Sequence, residues 1–498
     1  MKKRALISVY DKQEIEKIVQ FFISNDFEIV STGGTLKYLK SKQFPVIDIS
    51  EVTGFEEILD GRVKTLHPKI HGGILAVRNN EKHMEILKNK EINTFDAVIV
   101  NLYPFFEKVN EDLSFEEKIE FIDIGGPSML RSAAKNFNDV IVICDKNDYD
   151  IVINEIKESK ELSFKTRKYL ASKVFNLTSS YDASISNFLL ENDFPDYLSL
   201  SYVKSQELRY GENPHQKAAF YNNTSKKGSF NNMIQLNGKE LSYNNIRDIE
   251  AAWNIVNEFQ EITCCAVKHN VPCGVASAET VEKAYLRTYE CDTESIFGGI
   301  VASNSIIDKT TALEMNKIFL EVIIAPDFTE EALEIFRKKK NLRILKFNSK
   351  PSDNYEYLSV DGGILVQTKD KIKDEYEVVT TKKPTNSEIE DMLYGMKVVK
   401  HVKSNAIVVI KNKQMIGAGG GHTSRINAAN QALLKSKNGG VIASDAFIPF
   451  DDVVEEAYKH GVTAIIQPGG SKNDEASLKA CEKYGISMLF TGIRHFKH

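Results

Sequence analysis

Cysteine is scarce in this sequence, and the few cysteines are scattered. The 498 residues include six, at positions 144, 264, 265, 273, 291 and 481, and no two of them form a CxxC pair. That pattern excludes a small disulfide-stabilised scaffold and a cysteine-rich zinc module. We therefore predict a reduced, globular, cytoplasmic protein.

Long apolar runs and excess positive charge are also missing. No stretch approaches the ~18 apolar residues of a membrane-spanning helix, and the apolar run after MKKR ends at Asp11, which argues against a signal peptide. With 64 Lys+Arg against 69 Asp+Glu, the formal net charge is -5, so no overall basic field attracts nucleic acid. We expect neither a membrane nor a nucleic-acid partner, and expect local cations to hold any small anionic ligand.

What the sequence does contain is a regular alternation of apolar strands and helices. RALISVY, FEIVSTGG, FDAVIVNLYPF and DVIVICD in the first part, and EITCCAVKHN, NAIVVIKNK and GVTAIIQPGG in the second, lie between helical patterns. Both parts predict an α/β fold, and the segments of the first part predict a mostly parallel sheet covered on both faces. The helical pattern 164–191 breaks at DFPDYLSLS, so we predict two domains, 1–198 and 199–498, the second with two similar α/β lobes.

The motif STGGT at 31–35 follows a predicted strand and opens a helix. Its glycines would let backbone N–H groups approach a phosphate, and its Ser and Thr hydroxyls would add donors. An ordinary strand-to-helix turn fits the pattern equally well. Ligands of such sheets lie beyond the carboxyl ends of the strands, which favours a site here, at NLYPF and at DIGGPS.

The segment GRVKTLHPKIHGG at 61–73 is too polar for a core strand. His67 and His71 have the four-residue spacing of a metal pair, but Pro68 disfavours the continuous helix that would align their rings, and a third ligand is missing nearby. We prefer recognition of an anionic substrate by the arginine and lysines of this segment, with an exposed loop as the alternative.

A third motif, DIGGPSMLRSAAKN at 123–136, sets a glycine pair before a helix. Asp123 in the turn and Lys135 on the helix would form a proton-transfer pair if they were buried. The alternative is an acidic residue at a helix N-terminus and a solvated lysine, and from these residues alone we favour it.

The stretch AVKHNVPCGVA at 266–276 ends an apolar strand with Lys268 and His269. An imidazole of ordinary pKa ~6.5 suits proton transfer near neutrality, and a neighbouring ammonium tends to keep it neutral, so His269 is a candidate general base. A zinc deaminase would need P-C-x-x-C. Ala276 stands in place of the second cysteine, which argues against that class.

A glycine-rich loop, GAGGGHTSRINAAN at 417–430, enters another predicted helix. His422 stands where the dinucleotide fingerprint needs its third glycine, and the Gly-Lys-Ser/Thr of a nucleotide-triphosphate loop is missing. A flexible turn and an anion cradle are therefore equally compatible with this loop.

These motifs, in this order, resemble the bifunctional AICAR transformylase/IMP cyclohydrolase family of purine biosynthesis. The matches are ISVYDK, STGGT, GRVKTLHPKIHGG, NLYPF and IDIGGPSMLRSAAKN in the first domain, and LRYGENPHQ, VKHNVPCG, ESIFGGIVA, VKSNA, SDAFIPF and TGIRHFKH in the second. The resemblance implies a methylglyoxal-synthase-like domain followed by a duplicated cytidine-deaminase-like domain without zinc. It implies formyl transfer from 10-formyltetrahydrofolate to AICAR, then dehydrative closure of formyl-AICAR to IMP.

For ring closure the resemblance implies two sets of residues in the first domain, and no metal. The expected catalytic residues are Lys64, Tyr103, Asp123 and Lys135. The expected nucleotide-binding residues are Ser8, Lys12, Ser31, Gly33, Gly34, Thr35, Arg62, Thr65, Asn101 and Gly125.

For formyl transfer the resemblance implies that His269 is the base, that Lys268 supports charge and proton movement, and that Asn405 positions the formyl group. The expected substrate contacts are Arg209, Tyr210, Gly299, Glu321, Ser444, Phe450 and Arg494. It also implies a homodimer whose transformylase sites lie at the subunit interface, with a folate cosubstrate and no tightly bound cofactor. The residues leave open whether a potassium ion orders the transferase loops.

Two positions depart from the family pattern. His422 stands where glutamine is customary, and Asp451 stands where many members have arginine. The competing interpretations are a nucleotide-sensing protein on the same folds, which would bind AICAR or IMP without turnover, and a zinc deaminase. Retention of proton-transfer groups such as Lys64, Asp123 and His269 argues against the sensor, because a sensor needs only phosphate contacts.

Overall fold

The computed structural model describes residues 2–224, 228–371, 375–436 and 439–498. Contacts divide the chain into two compact units: a first unit, Met1–Val203 with Asn223–Lys226, and a second unit, Lys204–Asn222 with Lys227–His498. Each unit has its own sheets and its own hydrophobic core.

The first unit is built on a five-stranded sheet in the order β3-β2-β1-β4-β5, and every neighbouring pair is parallel. Adjacent residues of β1 such as Ala5, Leu6 and Ile7 are all fully buried. Because neighbouring side chains of a strand point to opposite faces, both faces of the sheet are covered. The strands are β1 (Lys3–Ser8), β2 (Phe27–Ser31), β3 (Val46–Asp48), β4 (Ala97–Val100) and β5 (Ile141–Ile143).

Helices connect these strands and supply the covering layers. Their apolar sides join the strands in one core, which includes Ile18 and Phe22 of the first helix and Leu130 of the eighth. The helices are α1 (Ile15–Ser24), α2 (Gly33–Ser41), α3 (Ile49–Thr53), α4 (Pro68–Leu75), α5 (Glu81–Asn89), α6 (Phe105–Lys108), α7 (Phe115–Ile119), α8 (Gly125–Lys135), α9 (Tyr149–Ser159) and α10 (Phe164–Leu189), with a 3-10 turn at Lys146–Asp148.

The second unit contains two six-stranded sheets. The first lobe, residues 233–347, has the strand order β10-β9-β11-β12-β13-β8. Its elements are β8 (Met233–Asn237), α11 (Tyr243–Val256), β9 (Thr263–Lys268), β10 (Val271–Ser277), α12 (Val281–Cys291), β11 (Ile300–Ser303), α13 (Lys309–Met315), β12 (Val322–Ala325), α14 (Glu330–Phe336) and β13 (Arg343–Phe347). Before it lie β6 (Tyr202–Leu208), β7 (Ala218–Asn223) and a 3-10 turn at Ser229–Asn232.

The second lobe, residues 377–490, follows a two-stranded hairpin of β14 (Tyr355–Val360) and β15 (Gly363–Thr368). Its strand order is β16-β21-β20-β19-β17-β18. Its elements are β16 (Glu377–Val378), α15 (Asn386–Val399), β17 (Ile407–Ile410), β18 (Met415–Gly419), α16 (Arg425–Lys435), β19 (Val441–Ser444), α17 (Asp452–Lys459), β20 (Ala464–Gln467), α18 (Asp474–Tyr484) and β21 (Ser487–Phe490).

The two lobes have the same topology. When each strand order is written from the hairpin end, β10-β9-β11-β12-β13-β8 of the first lobe corresponds to β18-β17-β19-β20-β21-β16 of the second. Each pair of neighbouring strands in one lobe is parallel or antiparallel as the corresponding pair is in the other. The helices α11 and α15 begin alike, after capping boxes at Ser242 and Thr385. The predicted duplication is therefore confirmed.

The helices α11 and α15 pack between the two sheets. Val267 of β9 and Val408 of β17 belong to the same core as Ile249 of α11 and Met396 of α15. The neighbouring strand residues Ala266 and Val409 face away into two separate outer cores. Each lobe thus presents one face of its sheet to a shared helical layer and covers the other with its own helices.

Candidate functional site

The loops after β1 and β4 of the first unit meet at one edge of its sheet. The strand order is β3-β2-β1-β4-β5, so β2 lies on one side of β1 and β4 lies on the other. Because the connections from β1 and from β4 lead to opposite sides, a crevice opens at the carboxyl ends of these two strands. Asn101 closes the base of this crevice: its Oδ1 accepts the Tyr10 N–H at 2.5 Å, and its Nδ2 donates to the Asp11 carbonyl at 2.8 Å.

The N-terminus of α2 opens into the same region. Gly33 has a φ of 53°, and a Cβ built on it would lie 3.4 Å from the Lys64 Nζ. A Cβ on Gly34 would lie 3.9 Å from the Lys12 Nζ. Two ammonium groups therefore flank a helix start whose first N–H groups lack helical partners, an arrangement that suits a phosphate.

Asp123, Tyr103 and Lys64 form a group of interacting titratable side chains beside this helix start. Burial raises the pKa of Asp123, an effect opposed by the Gly126 N–H, which donates to the carboxylate at 2.9 Å, and by the Lys64 ammonium. Burial and the Asp123 and Glu57 carboxylates raise the pKa of Tyr103. The group therefore combines a carboxylate of raised basicity with a phenol that stays protonated at neutral pH.

Thr65 and Gly125 fit closely together at the start of α8. Thr65 is 3% exposed, and a Cβ on Gly125 would lie 2.5 Å from its Oγ1. Larger residues at position 125 would push the Lys64 loop away from Asp123. Of the other expected binding residues, Ser8 ends β1 beside Val100, and Arg62 is exposed and paired with Glu120.

The hydroxyls of Ser31 and Thr35 in the STGGT motif bond to the backbone of β1 and of Val9. Ser31 donates to the Ile7 carbonyl at 2.7 Å, and Thr35 accepts from the Val9 N–H and donates to the Val9 carbonyl, both at 2.9 Å. Both side chains are buried. They join β2 and α2 to β1 and to Val9 just after it. A nucleotide contact by Ser31 or Thr35 stays a prediction of the family resemblance.

Asp123 and Lys135 lie apart within this chain, which agrees with the alternative of a solvated lysine that the residues alone favour. Asp123 precedes α8, whereas Lys135 ends it and is exposed. A helix rises 1.5 Å per residue, so the ten steps from Gly125 to Lys135 amount to about 15 Å along the axis. Lys135 therefore lies away from the group formed by Lys64, Tyr103 and Asp123.

The two histidines of the same segment serve the fold. His67 caps α4 by accepting the Lys69 N–H at 3.1 Å, and the Nδ1 of His71 lies 3.0 Å from the Ser132 Oγ of α8. Burial lowers the pKa of His71. Among the described residues there is no cluster of three or more His, Cys, Asp or Glu side chains arranged to hold a metal ion.

One edge of the first lobe's sheet carries most of the residues expected to contact AICAR. Register pairs Val267 with Ile300, Ile300 with Val322 and Val322 with Arg343. The residues next to these pairs, Lys268, Gly299 and Glu321, therefore lie side by side at the carboxyl end of β9. The Lys268 Nζ also donates to the Phe297 carbonyl at 2.9 Å, which draws the loop before β11 to this edge.

Two further residues expected to contact substrate, Arg209 and Tyr210, lie near Arg343 at the same edge. Arg343 is 7% exposed, its Nη1 lies 3.8 Å from a Glu321 oxygen, and burial lowers its pKa. Glu321 opposes that effect, and Arg209 and Tyr210 also act on the pKa of Arg343, so they lie near it. Asn245 of α11 donates to Glu321 at 2.9 Å. The edge therefore holds several cationic donors around one carboxylate.

His269 lies beyond the end of β9, in the two-residue turn to β10. Lys268 and Val271 pair directly, and His269 and Asn270 have φ values of 54° and 65°. This is the geometry of a type I′ hairpin turn, which requires positive φ at both central residues. The His269 side chain is exposed, so its imidazole is free to meet a ligand at this edge.

Asn405 of the second lobe belongs to a buried polar network around Arg425. Arg425 donates to the Asn405 Oδ1 at 2.7 Å, to the Ser444 hydroxyl at 2.9 Å and to Asp445 at 2.5 Å. Asn405 in turn donates through its Nδ2 to the His422 carbonyl at 3.0 Å. These bonds fix which way the Asn405 amide faces.

A cavity of about 320 Å³ opens beside this network. Phe447, Phe450 and Phe496 line it and are 39%, 55% and 41% exposed, and Asp452 adds a carboxylate. The Arg494 guanidinium lies over the Phe496 ring, 4.4 Å from its centroid. Exposed aromatic rings beside a carboxylate suit a flat heterocycle with hydrogen-bond donors.

Comparison with known proteins decides the family. The sequence model described as "AICARFT/IMPCHase bienzyme" matches residues 133–435, and the "MGS-like domain" model matches residues 14–128. The chain belongs to the AICARFT/IMPCHase bienzyme family. Its two reactions are the last two steps of IMP synthesis, formyl transfer to AICAR and closure of formyl-AICAR to IMP.

Curated relatives match over the full length of both chains. Proteins called "Bifunctional purine biosynthesis protein PurH" are 61% identical in Clostridium acetobutylicum over 499 residues, 61% in Clostridium perfringens over 501 and 60% in Clostridium botulinum over 499. Each comparison covers 100% of this chain and 100% of the relative. A solved structure titled "Crystal structure of ForH" is 34% identical and covers 37% of this chain and 96% of its own, with a TM-score of 0.34.

In this bienzyme, the residues expected to transfer the formyl group lie at opposite edges of equivalent sheets. Lys268 ends β9, whereas Asn405 precedes β17, the strand equivalent to β9. Likewise Gly299 precedes β11, whereas Ser444 ends β19, the strand equivalent to β11. The expected residues of the first lobe thus lie at its hairpin edge, and those of the second lobe lie at the other edge.

Sequence reasoning missed three charged residues of these sites. Arg425 and Asp445 form a buried ion pair, 7% and 0% exposed at their side chains, and Arg343 begins a buried strand. A usable signal was present, because Arg425 follows the glycine-rich loop and Asp445 directly follows an apolar strand. Charges in such places are buried only when they are paired.

Proposed function

We propose that the two reactions are divided between the domains, with residues 1–198 closing formyl-AICAR and residues 199–498 transferring the formyl group. The observation that carries this proposal is that two groups of chemically suited side chains lie in different compact units of the chain. One group centres on Lys64 and Asp123, and the other on His269 and Asn405.

For ring closure, the N-terminus of α2 with Lys12 and Lys64 would bind the 5′-phosphate. The carboxamide nitrogen of formyl-AICAR attacks the formyl carbon, and the carbonyl oxygen gains negative charge. The Lys64 ammonium and the Tyr103 hydroxyl would stabilise that oxygen, while Asp123 accepts the proton that the nitrogen loses. A carboxylate whose pKa is raised by burial is a better base for this step. The proton held by Asp123 passes to that oxygen, and water leaves as the C–O bond breaks and the former formamide nitrogen gives up its proton to form the C=N bond of IMP.

For formyl transfer, the edge of the first lobe would hold AICAR. Its 5-amino group is a weak nucleophile because its lone pair is drawn into the imidazole carboxamide. His269 would take the amine proton as the nitrogen attacks the formyl carbon, and Lys268 would support charge and proton movement beside it. Asn405 would donate to the formyl oxygen, since Arg425 and His422 already fix its amide. The proton held by His269 then passes to N10 of the folate as the C–N bond between N10 and the formyl carbon breaks, and tetrahydrofolate leaves.

The aromatic cavity of the second lobe would bind 10-formyltetrahydrofolate. Phe447 and Phe450 offer rings for the flat pterin, and Asp452 offers an acceptor for its amino group and ring N–H. This placement would set the formyl carbon near Asn405, which lines the same cavity. No step of the proposal needs a tightly bound cofactor. A potassium ion would act only by ordering the loops of the transferase domain. Comparing the rate of formyl transfer in sodium buffer with the rate in potassium buffer tests this role.

We also propose a homodimer in which the first lobe of one copy meets the second lobe of the other. The hairpin of β14 and β15 supplies an apolar surface: Leu358 and Leu365 are 62% and 58% exposed. Such surfaces mark interaction sites. Sedimentation should then give twice the 56.2 kDa of the chain.

The part of the chain that the structure describes contains no helix long and apolar enough to cross a bilayer. All six cysteines are free thiols, which supports the proposal of a reducing, cytoplasmic location.

The intact protein provides the direct test. When it is mixed with AICAR and 10-formyltetrahydrofolate, we expect tetrahydrofolate and IMP to appear, which absorbance spectra of the mixture report. Residues 1–198 alone should close formyl-AICAR, and residues 199–498 alone should form it. Binding of AICAR or IMP with no turnover by the intact chain would favour a nucleotide sensor. An active intact chain with two folded but inactive fragments would refute the division of labour.

A further inference from the structure

The turn that carries His269 is held by a carboxylate of the neighbouring helix. Asp248 of α11 accepts the His269 N–H at 3.2 Å through one oxygen and the Asn270 N–H at 2.6 Å through the other. Both residues have left-handed backbone conformations, which residues with a Cβ adopt only at a cost. The carboxylate therefore stabilises a conformation that neither residue favours.

The second lobe repeats this arrangement. Asp391 of α15 accepts the N–H groups of Asn412 and Lys413, both at 2.7 Å, and these residues have φ values of 53° and 56°. The sequence separations are 21 and 22 residues in both lobes. Burial raises the pKa of Asp391, as it does that of Asp248, and the two N–H bonds oppose the effect in each case.

The duplication makes it possible to distinguish contacts that the fold requires from contacts that only the first lobe needs for its reaction. Because both lobes hold a hairpin turn with a helix carboxylate, this contact belongs to the shared architecture. The turns differ in what they carry: Asn412 occupies in the second lobe the place of His269 in the first. A change at Asp391 therefore reports the structural cost of losing the contact, and a change at Asp248 reports that cost together with any effect on His269.

We propose that Asp248 is a positioning residue for formyl transfer: its carboxylate fixes the backbone of His269 and thereby the place from which the imidazole reaches the amine of AICAR. This inference rests on the proposed role of His269 as the base. Proton transfer requires the imidazole nitrogen within hydrogen-bond reach of the amine, so a turn that shifts by about 1 Å loses rate even when substrate still binds.

The test compares Asp248→Asn with Asp391→Asn in the full-length protein. In each variant an amide NH2 replaces one acceptor oxygen, so one turn N–H loses its partner. We expect both variants to lower the thermal midpoint similarly and to leave cyclisation unchanged. Only Asp248→Asn should lower kcat for transfer, by about tenfold or more, with KM for AICAR changed less than about twofold.

A rescue variant distinguishes positioning from general destabilisation. Glycine adopts the left-handed conformation without strain, so Asp248→Asn with Asn270→Gly should hold the turn better and recover part of kcat. This double variant also supplies the measurement if Asp248→Asn alone does not fold. The matched pair, Asp391→Asn with Lys413→Gly, should recover the thermal midpoint and leave kcat as it was.

Three results would overturn the inference: equal loss of kcat in the two single variants, no loss in either, or no recovery in the double variant. His269→Ala, measured in parallel, tests the proposed function separately. If His269→Ala retains full transfer, the proposed base is wrong. If it abolishes transfer while Asp248→Asn does not lower it, His269 keeps its role and only the positioning by Asp248 fails.

Discussion

The candidate cyclisation site and the candidate transfer site are assembled in different ways. Lys64, Tyr103 and Asp123 come from loops that meet at one edge of one parallel sheet, and burial tunes the carboxylate among them. His269 and Asn405 come from opposite edges of two equivalent sheets, and His269 is exposed in the single chain. The first site needs only its own unit, whereas the second needs the edges of two lobes to meet.

The two lobes of the second unit share one fold but carry different polar residues at their sheet edges. Both lobes retain the helix carboxylate and the hairpin turn, but the first lobe adds a titratable residue to that turn. The second lobe instead adds a buried ion pair, Arg425 with Asp445, at the far edge, where it orients Asn405. Duplication thus supplied two copies of one scaffold, and in the proposed function different edges of it carry the proton-transfer group and the formyl-orienting group.

The largest expected effect is on the transfer site. His269→Ala should lower kcat for formyl transfer by about 10²- to 10⁴-fold, the range for loss of a general base, and leave cyclisation unchanged. Asn412→Ala, the same change at the equivalent turn position, is the matched control and should leave both rates near those of the parent. Separate assays with AICAR and with formyl-AICAR measure this. Equal loss of both activities in His269→Ala would make the residue structural.

A smaller effect on rate is expected at the cyclisation site, together with a gain in stability. Asp123→Asn should slow ring closure by about 10²-fold and spare transfer. The folded-state pKa of Asp123 is raised by burial, so its ionised form is disfavoured in the fold, and the cost is fully present at pH values above that pKa. Asparagine keeps an oxygen for the Gly126 N–H and carries no charge. The thermal midpoint at neutral pH should therefore rise.

Calorimetry at several pH values checks this expectation. The difference in midpoint between Asp123→Asn and the parent should shrink as the pH falls and the parent carboxyl becomes protonated. A midpoint that falls at neutral pH and stays lower at acidic pH would mean that Asp123 stabilises the fold as a carboxylate, contrary to the account.

The smallest effect is expected in the aromatic cavity of the second lobe. Phe450→Ala removes a ring that is 55% exposed, so little stability should be lost. We expect KM for 10-formyltetrahydrofolate to rise by about five- to tenfold, because an aromatic contact contributes about 1 kcal/mol to binding. KM for AICAR should stay constant. If KM for AICAR rose as much as KM for 10-formyltetrahydrofolate, both substrates would bind in the same pocket. The proposal that the first lobe holds AICAR and the second holds the folate would then be wrong.

Sequence patterning predicted the layers of this molecule well, because apolar strands and helical periodicity are local properties. The alternation of strands and helices gave the parallel sheet of the first unit and the two lobes of the second. The predicted loops at STGGT, at NLYPF and at DIGGPS do gather at one sheet edge, since the carboxyl ends of parallel strands share an edge. The Lys64 loop, which follows no strand, joins them there.

Side-chain partners could not be predicted in the same way, because they depend on contacts across the fold. The hydroxyl of Thr35 bonds to the backbone of Val9, 26 residues away, and Arg425 pairs with Asp445, 20 residues away. Helix geometry alone already argues against a proton-transfer pair within one chain, because Asp123 precedes an eleven-residue helix and Lys135 ends it. The participation of Lys135 in ring closure stays a prediction of the family resemblance.

The central claim is that each transfer site draws on two copies of the chain, whereas each cyclisation site is complete in one. Subunit mixing tests it most directly. His269→Ala and Asn405→Ala homodimers, each inactive in transfer, are allowed to exchange subunits, and Lys64→Met and Asp123→Asn homodimers are treated alike and assayed for cyclisation. The account predicts that transfer reappears in the first mixture and that cyclisation does not reappear in the second. No transfer from confirmed heterodimers, or restored cyclisation, would contradict it.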